Sequence, residues 1–147
     1  MSIIAIAAGL ALACAIGWWV KRRAGVLREL PATPSAGRAA GDTAAADAPA
    51  DAAFLGLELG GPTVVHFSAP WCGPCAGVRR VVEQVCADLH VAHREIDIDA
   101  DPVAARRFAV LSLPTTLIFD ADGQQRYRAA GVPSAADLRS ALQPLLA

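Results

Sequence analysis

Cys72 and Cys75 stand three residues apart in the run Trp71-Cys72-Gly73-Pro74-Cys75, while Cys14 and Cys86 are isolated in the chain. A C-x-x-C pair supports two chemistries, reversible dithiol–disulfide exchange or half of a zinc site. Four unevenly spaced cysteines are too few to staple a 147-residue chain as a disulfide framework. Zinc needs four ligands, and Cys86, His90 and His93 are the candidates that follow the pair. Cys86, however, lies 11 residues beyond Cys75, about 16 Å along one helix, too far to share a metal or a disulfide with it. Cys86 reads as a small buried apolar residue, and Cys14 as the same within an apolar segment. No metal is assigned.

Exchange chemistry requires a stabilised thiolate, and the elements around the pair are suited to supply one. Residues 63–69 (TVVHFSA) form a short β-branched run expected to be a central buried strand. From Cys72 onward the period changes: Val78, Val81, Val82, Val85 and Leu89 fall on one face of a helix. The pair therefore sits where a strand ends and a helix begins. Free N–H groups and the positive end of the helix dipole favour an anion there. Cys72, expected at the helix entrance, should have a lowered pKa and be the attacking sulfur. Pro74 suits the first turn, and Cys75, one turn on, is placed to resolve the mixed disulfide.

The rest of the C-terminal part reads as further short elements. Residues 91–98 are a second strand, and 101–110 a short helix opened by Asp101-Pro102. Residues 115–119 and 125–130 are two strands joined by the turn signal at 120–123 (DADG). Ser134 caps a last helix that buries Leu138, Ala141, Leu142 and Leu145. The order is β-α-β-α-β-β-α.

The five-residue motif after a β-branched strand, with Leu113-Pro114-Thr115 about 40 residues later, resembles the active site of the thioredoxin family. The resemblance runs from Thr63 to Ala147 and includes Phe67, Asp97-Ile98-Asp99 and Gly131. It implies a thioredoxin-like α/β fold and a cis Pro114 facing the cysteines. It also implies substrate contacts from Trp71, Gly73, Pro74, Leu113, Pro114 and Gly131, with no cofactor. His66 stands where the family usually carries a buried acid that exchanges protons with the resolving cysteine. A histidine is able to do that near neutral pH; the alternative is a buried histidine satisfied by a hydrogen bond. Glu95 replaces a lysine that often partners that acid, and Ser68 replaces a frequent aromatic. Residues 54–62 are too few for the family's first strand and helix, so a trimmed domain is expected. Phe54, Leu55, Leu57 and Leu59 would then cover the sheet edge.

The N-terminal part is of two other kinds. Residues 2–20 carry no charge and as a helix would span about 28 Å, near the thickness of a bilayer's hydrocarbon core. Trp18 and Trp19 close the run, and Lys21, Arg22 and Arg23 follow it. A cleaved signal would instead place its positive charge before a shorter apolar run. Ala-Leu-Ala-Cys at 11–14 only faintly matches a lipoprotein cleavage site. Residues 1–23 are thus expected to be a transmembrane anchor with a basic flank. Residues 24–53 are expected to be an Ala/Pro-rich flexible linker, whose core at 31–53 would reach roughly 26 Å as a coil. Residues 54–147 are expected to be the thioredoxin-like domain.

Thirteen basic against 14 acidic residues leave a net charge of −1, which excludes a global field for nucleic acid. The expected function is a membrane-tethered thiol-disulfide oxidoreductase that reduces protein disulfides, drawing on an unidentified upstream electron donor. Basic residues follow the apolar run and none precedes it, which places the catalytic domain in the cytoplasm. The alternatives are an extracytoplasmic oxidase, isomerase or maturation factor, or a non-enzymatic thioredoxin-like module that holds a partner through the Pro114 groove.

Overall fold

The computed structural model describes residues 9, 12–18, 25–30 and 48–147. Its elements are β1 (Arg28–Glu29), α1 (Ala48–Phe54), β2 (Thr63–Ser68), α2 (Cys75–Leu89), β3 (Ala92–Asp97), α3 (Pro102–Arg107), β4 (Thr115–Phe119), β5 (Gln125–Ala130) and α4 (Ala135–Leu142), with a closing 3-10 turn at Gln143–Leu145. The sheet order is β1-β5-β4-β2-β3. Only β2 and β3 are parallel, joined through α2; β2–β4, β4–β5 and β5–β1 are antiparallel.

β2 is buried along its whole length, as its unbroken β-branched run requires. Successive side chains alternate between two layers. Val64 packs with Val78, Val82 and Val85 of α2 and Leu138 and Leu142 of α4. Val65 and Phe67 pack on the other side with Leu55, Ala104, Phe108, Leu117 and Phe119. Phe108 holds that second layer together, its ring 6.1 Å from both Phe67 and Phe119 and 6.5 Å from Phe54. Truncating a phenylalanine so placed costs about 3–5 kcal/mol.

Local signals set most boundaries. Asp101 caps α3 by accepting from the Ala104 amide at 2.9 Å, with Pro102 in the first turn. Ser134 caps α4 by accepting from the Asp137 amide at 3.1 Å. Gly123, with φ +77°, closes the β4–β5 turn by donating to Asp120 O at 3.1 Å.

Two pieces of the stretch expected to be flexible linker are ordered. Residues 25–30 lie along β5, where Arg28 and Glu29 form β1. Residues 48–54 form α1, a helix expected to be missing, which enters the core through Ala52 and is followed by the buried Leu55. Asp51 accepts from Arg107 Nε at 2.6 Å, and the Arg107 guanidinium lies 4.8 Å from the centre of the Phe54 ring. α1 is thus docked against α3 and the Phe108 cluster. Of the four side chains expected to cover the sheet edge, Leu55 is core and Leu57 partly buried, while Phe54 and Leu59 stay exposed. Most of residues 1–23 and all of 31–47 lie outside the described residues; 12–18 are helical. Among the described residues no helix is long and apolar enough to cross a membrane.

Candidate active site

Cys72 and Cys75 are joined in a disulfide, with their Cα atoms 5.4 Å apart. α2 opens at Cys75 and not at Cys72. Pro74, at φ −71°, is the residue before the helix. Cys72 therefore sits in the preceding turn, its amide donating to Ala69 O at 3.0 Å and its carbonyl accepting from the Cys75 amide at 3.1 Å. Its sulfur is nonetheless held at the mouth of α2 by the bond to the helix's first residue. The two sulfurs differ in access: Cys75 is 1% exposed, Cys72 half-buried.

The registers bring the other expected residues to the same end of the sheet. Phe67 of β2 pairs with Thr115 of β4, which pairs with Ala130 of β5. Pro114 and Gly131, one residue beyond, therefore lie beside the strand end that leads to the cysteines. The Leu113–Pro114 peptide is cis, as the resemblance implied, and the Gly131 amide donates to Pro114 O at 2.8 Å. Pro114 is buried and Leu113 half-buried, whereas Trp71, Gly73 and Pro74 are exposed. The Trp71 ring is fixed by its Nε1–H, which donates to Asp99 at 2.9 Å. Trp71, Leu111 and Val132 leave apolar surface open at this end.

His66 is 1% exposed, on the sheet face that α2 covers. Neither ring nitrogen has a hydrogen-bond partner among the described residues. The nearest charge is the Glu95 carboxylate, directly opposite on β3, with Oε2 3.5 Å from His66 Nε2, too long for a good hydrogen bond. Burial holds His66 below its ordinary 6.5; His93 and Arg79 push the same way, and Glu95 opposes them. Burial thus favours the neutral form of His66.

Glu95 is the centre of a network that the sequence did not disclose. It accepts from Arg79 Nε at 2.8 Å and Nη2 at 2.6 Å and from Ser68 Oγ at 2.6 Å. The Arg79 fork is the largest cause holding its carboxyl down at about 2, so it is ionised throughout the physiological range. Arg79 lies one turn after Cys75 on the exposed side of α2. Only the β2–β3 register reveals the acid it reaches. Cys86 lies in the core beneath α2, 1% exposed, and burial pushes its thiol up to about 12. With Cys72 bound to Cys75 and Cys86 in the core, the residues considered for zinc are not gathered together.

A family model described as Thioredoxin matches residues 57–144. The thioredoxin of Mycolicibacterium smegmatis is 40% identical over 89 residues, covering 58% of this chain and 79% of that protein. The thioredoxin of Mycobacterium tuberculosis (strain ATCC 25618 / H37Rv) is 41% identical over 86 residues, covering 56% and 72%. The X-ray structure of Fasciola hepatica thioredoxin superposes with a TM-score of 0.53 at 30% identity, covering 59% of this chain and 83% of that one. The matched span holds β2 to β5 and both bonded cysteines, so the chain belongs to the thioredoxin family and carries its thiol–disulfide oxidoreductase chemistry at Cys72 and Cys75.

Proposed function

We propose that the chain is a membrane-tethered reductase of protein disulfides, with Cys72 as the attacking and Cys75 as the resolving sulfur. The observation that carries this division is the difference in access across one disulfide: Cys72 half-buried, Cys75 sealed. In the reduced protein the Cys72 thiolate attacks one sulfur of a substrate disulfide, forming a mixed disulfide and releasing the other sulfur as a thiolate. Deprotonated Cys75 then attacks Cys72, releasing the second substrate sulfur and closing the Cys72–Cys75 disulfide. The substrate gains two electrons and two protons, and an upstream dithiol donor restores the enzyme.

His66 is the base for the second step, taking the Cys75 proton as the buried thiol becomes nucleophilic; its unsatisfied nitrogens and its neutral form near pH 7 support that role. Trp71, Gly73, Pro74, Leu113, Pro114 and Gly131 form the surface that receives the substrate chain.

The tether rests on the sequence: an uncharged run of 19 residues, closed by two tryptophans and three basic residues. The same basic flank supports a cytoplasmic catalytic domain, where a reducing thiol pool keeps the pair as dithiol. Alkaline phosphatase fused after Ala147 tests this. The expected result is membrane-bound, inactive phosphatase. Active phosphatase would place the domain outside and favour the oxidase, isomerase or maturation reading.

A further inference from the structure

The residues that follow the basic flank do not lead away from the domain. Residues 25–30 run antiparallel along the outer edge of β5, Arg28 opposite Arg128 and Glu29 opposite Tyr127. The Leu30 amide donates to Arg126 O at 2.8 Å, and the Gly25 amide donates to Ala130 O at 2.5 Å. Because β5 ends at the redox end of the sheet, the antiparallel strap begins there.

Its first residue is tightly seated. Gly25 has φ +88°, and a Cβ at this position would lie 2.1 Å from Val132 O, so only glycine passes. Val132 lies beside α2 at Gly77, two residues past Cys75, where an added Cβ would meet its side chain at 3.6 Å. Val132 also follows Gly131, whose amide holds Pro114 O. The strap therefore enters against the wall of the exchange site.

Chain length then limits how far that site stands from the apolar run. Val20 and Gly25 are five Cα steps apart, at most about 18 Å when fully extended. Between them lie Lys21, Arg22 and Arg23, residue types that settle at the level of anionic headgroups. Residues 31–47, expected to separate membrane from domain, come after the strap and cannot act as the tether. The large apolar side chains open at the redox end, Trp71 at 68% and Leu111 at 93% exposure, suit an interfacial setting.

We propose that the strap at 25–30 pins the exchange face to the bilayer surface, so that its substrates are disulfides carried at headgroup level by membrane-anchored proteins. This rests on the tethered reading above. Full-length protein, reduced beforehand, is mixed in a single turnover with phosphatidylcholine–phosphatidylglycerol vesicles bearing a 2-pyridyl disulfide on a lipid headgroup. A soluble 2-pyridyl disulfide is the reference, and pyridinethione release gives both rates. Leu30→Pro removes the bond to Arg126 O at the strap's far end, and Gly25→Val undocks its near end; the soluble rate of each variant reports any effect on the exchange residues themselves.

The expected result is a preference for the lipid-borne disulfide that falls roughly tenfold or more in both variants, from lost effective concentration, with the soluble rate unchanged. Variants that float with the vesicles and keep the full preference would overturn the strap inference and leave the tether standing. Wild-type protein that fails to float would overturn the tether, and the inference with it.

Discussion

The clearest separation the structure makes is among its thiols. In reduced protein at pH 7, alkylation depends on the thiolate fraction at each sulfur. Burial pushes Cys86 up to about 12, which leaves a thiolate fraction of about 10⁻⁵. An unperturbed thiol of pKa about 8.5 has about 3%. The ratio is about 3,000-fold before access is counted, and Cys86 is 1% exposed. Cys75 is equally closed, and Cys72 is half-open at the mouth of α2. The expected order with iodoacetamide is Cys72 first, Cys75 much later, and Cys86 only when the protein unfolds. Peptide mass spectrometry over a time course reads each position, and the urea-unfolded chain supplies the reference rates. Native Cys86 reacting within tenfold of its unfolded rate would refute the burial argument. Cys75 reacting before Cys72 would refute the assignment of roles.

Two further outcomes concern the face behind the disulfide. His66→Ala should slow disulfide reduction by roughly 10²-fold with the fold intact by circular dichroism, and should alter the rate's pH profile; an unaltered profile would leave His66 a packing residue. Glu95 is held at about 2 against an ordinary 4.5, so its stabilisation is present above about pH 4.5 and lost as pH falls toward 2. His66, held low, also favours the folded state above about 6.5 and disfavours it below. Glu95→Gln should therefore flatten the acid limb of stability between about pH 4.5 and 2, read by urea midpoints; an unchanged limb would contradict the Arg79–Glu95 account.

What the sequence disclosed and what it did not divide along physical lines. β4 and β5 were legible to the residue, because a β-branched run and a DADG turn are local signals. α2 was legible from its valine stripe but not at its start, which falls at Cys75 and not at Cys72. α1 escaped because APADAAF has no apolar stripe; it is held by Ala52 in the core and by Arg107, 56 residues from Asp51. β1 escaped for the same reason: Arg28-Glu29 has no strand pattern and exists only because β5 offers an edge. At the site, the cysteines were legible by spacing and Pro114 by resemblance. The Arg79–Glu95–Ser68 network was not, since its members meet only through strand register and helix packing.

The central claim is that Cys72 and Cys75 form one reversible two-electron couple. Full-length chain equilibrated in glutathione buffers of graded potential, quenched with a mass-tagged alkylating reagent, tests it directly. One transition is expected, in which both cysteines lose their label together, changing tenfold in ratio per roughly 30 mV. Cys75→Ser should abolish this transition and accumulate a glutathione adduct on Cys72 and not on the buried Cys86. Two separate one-cysteine transitions, or an adduct that forms on Cys86, would contradict it.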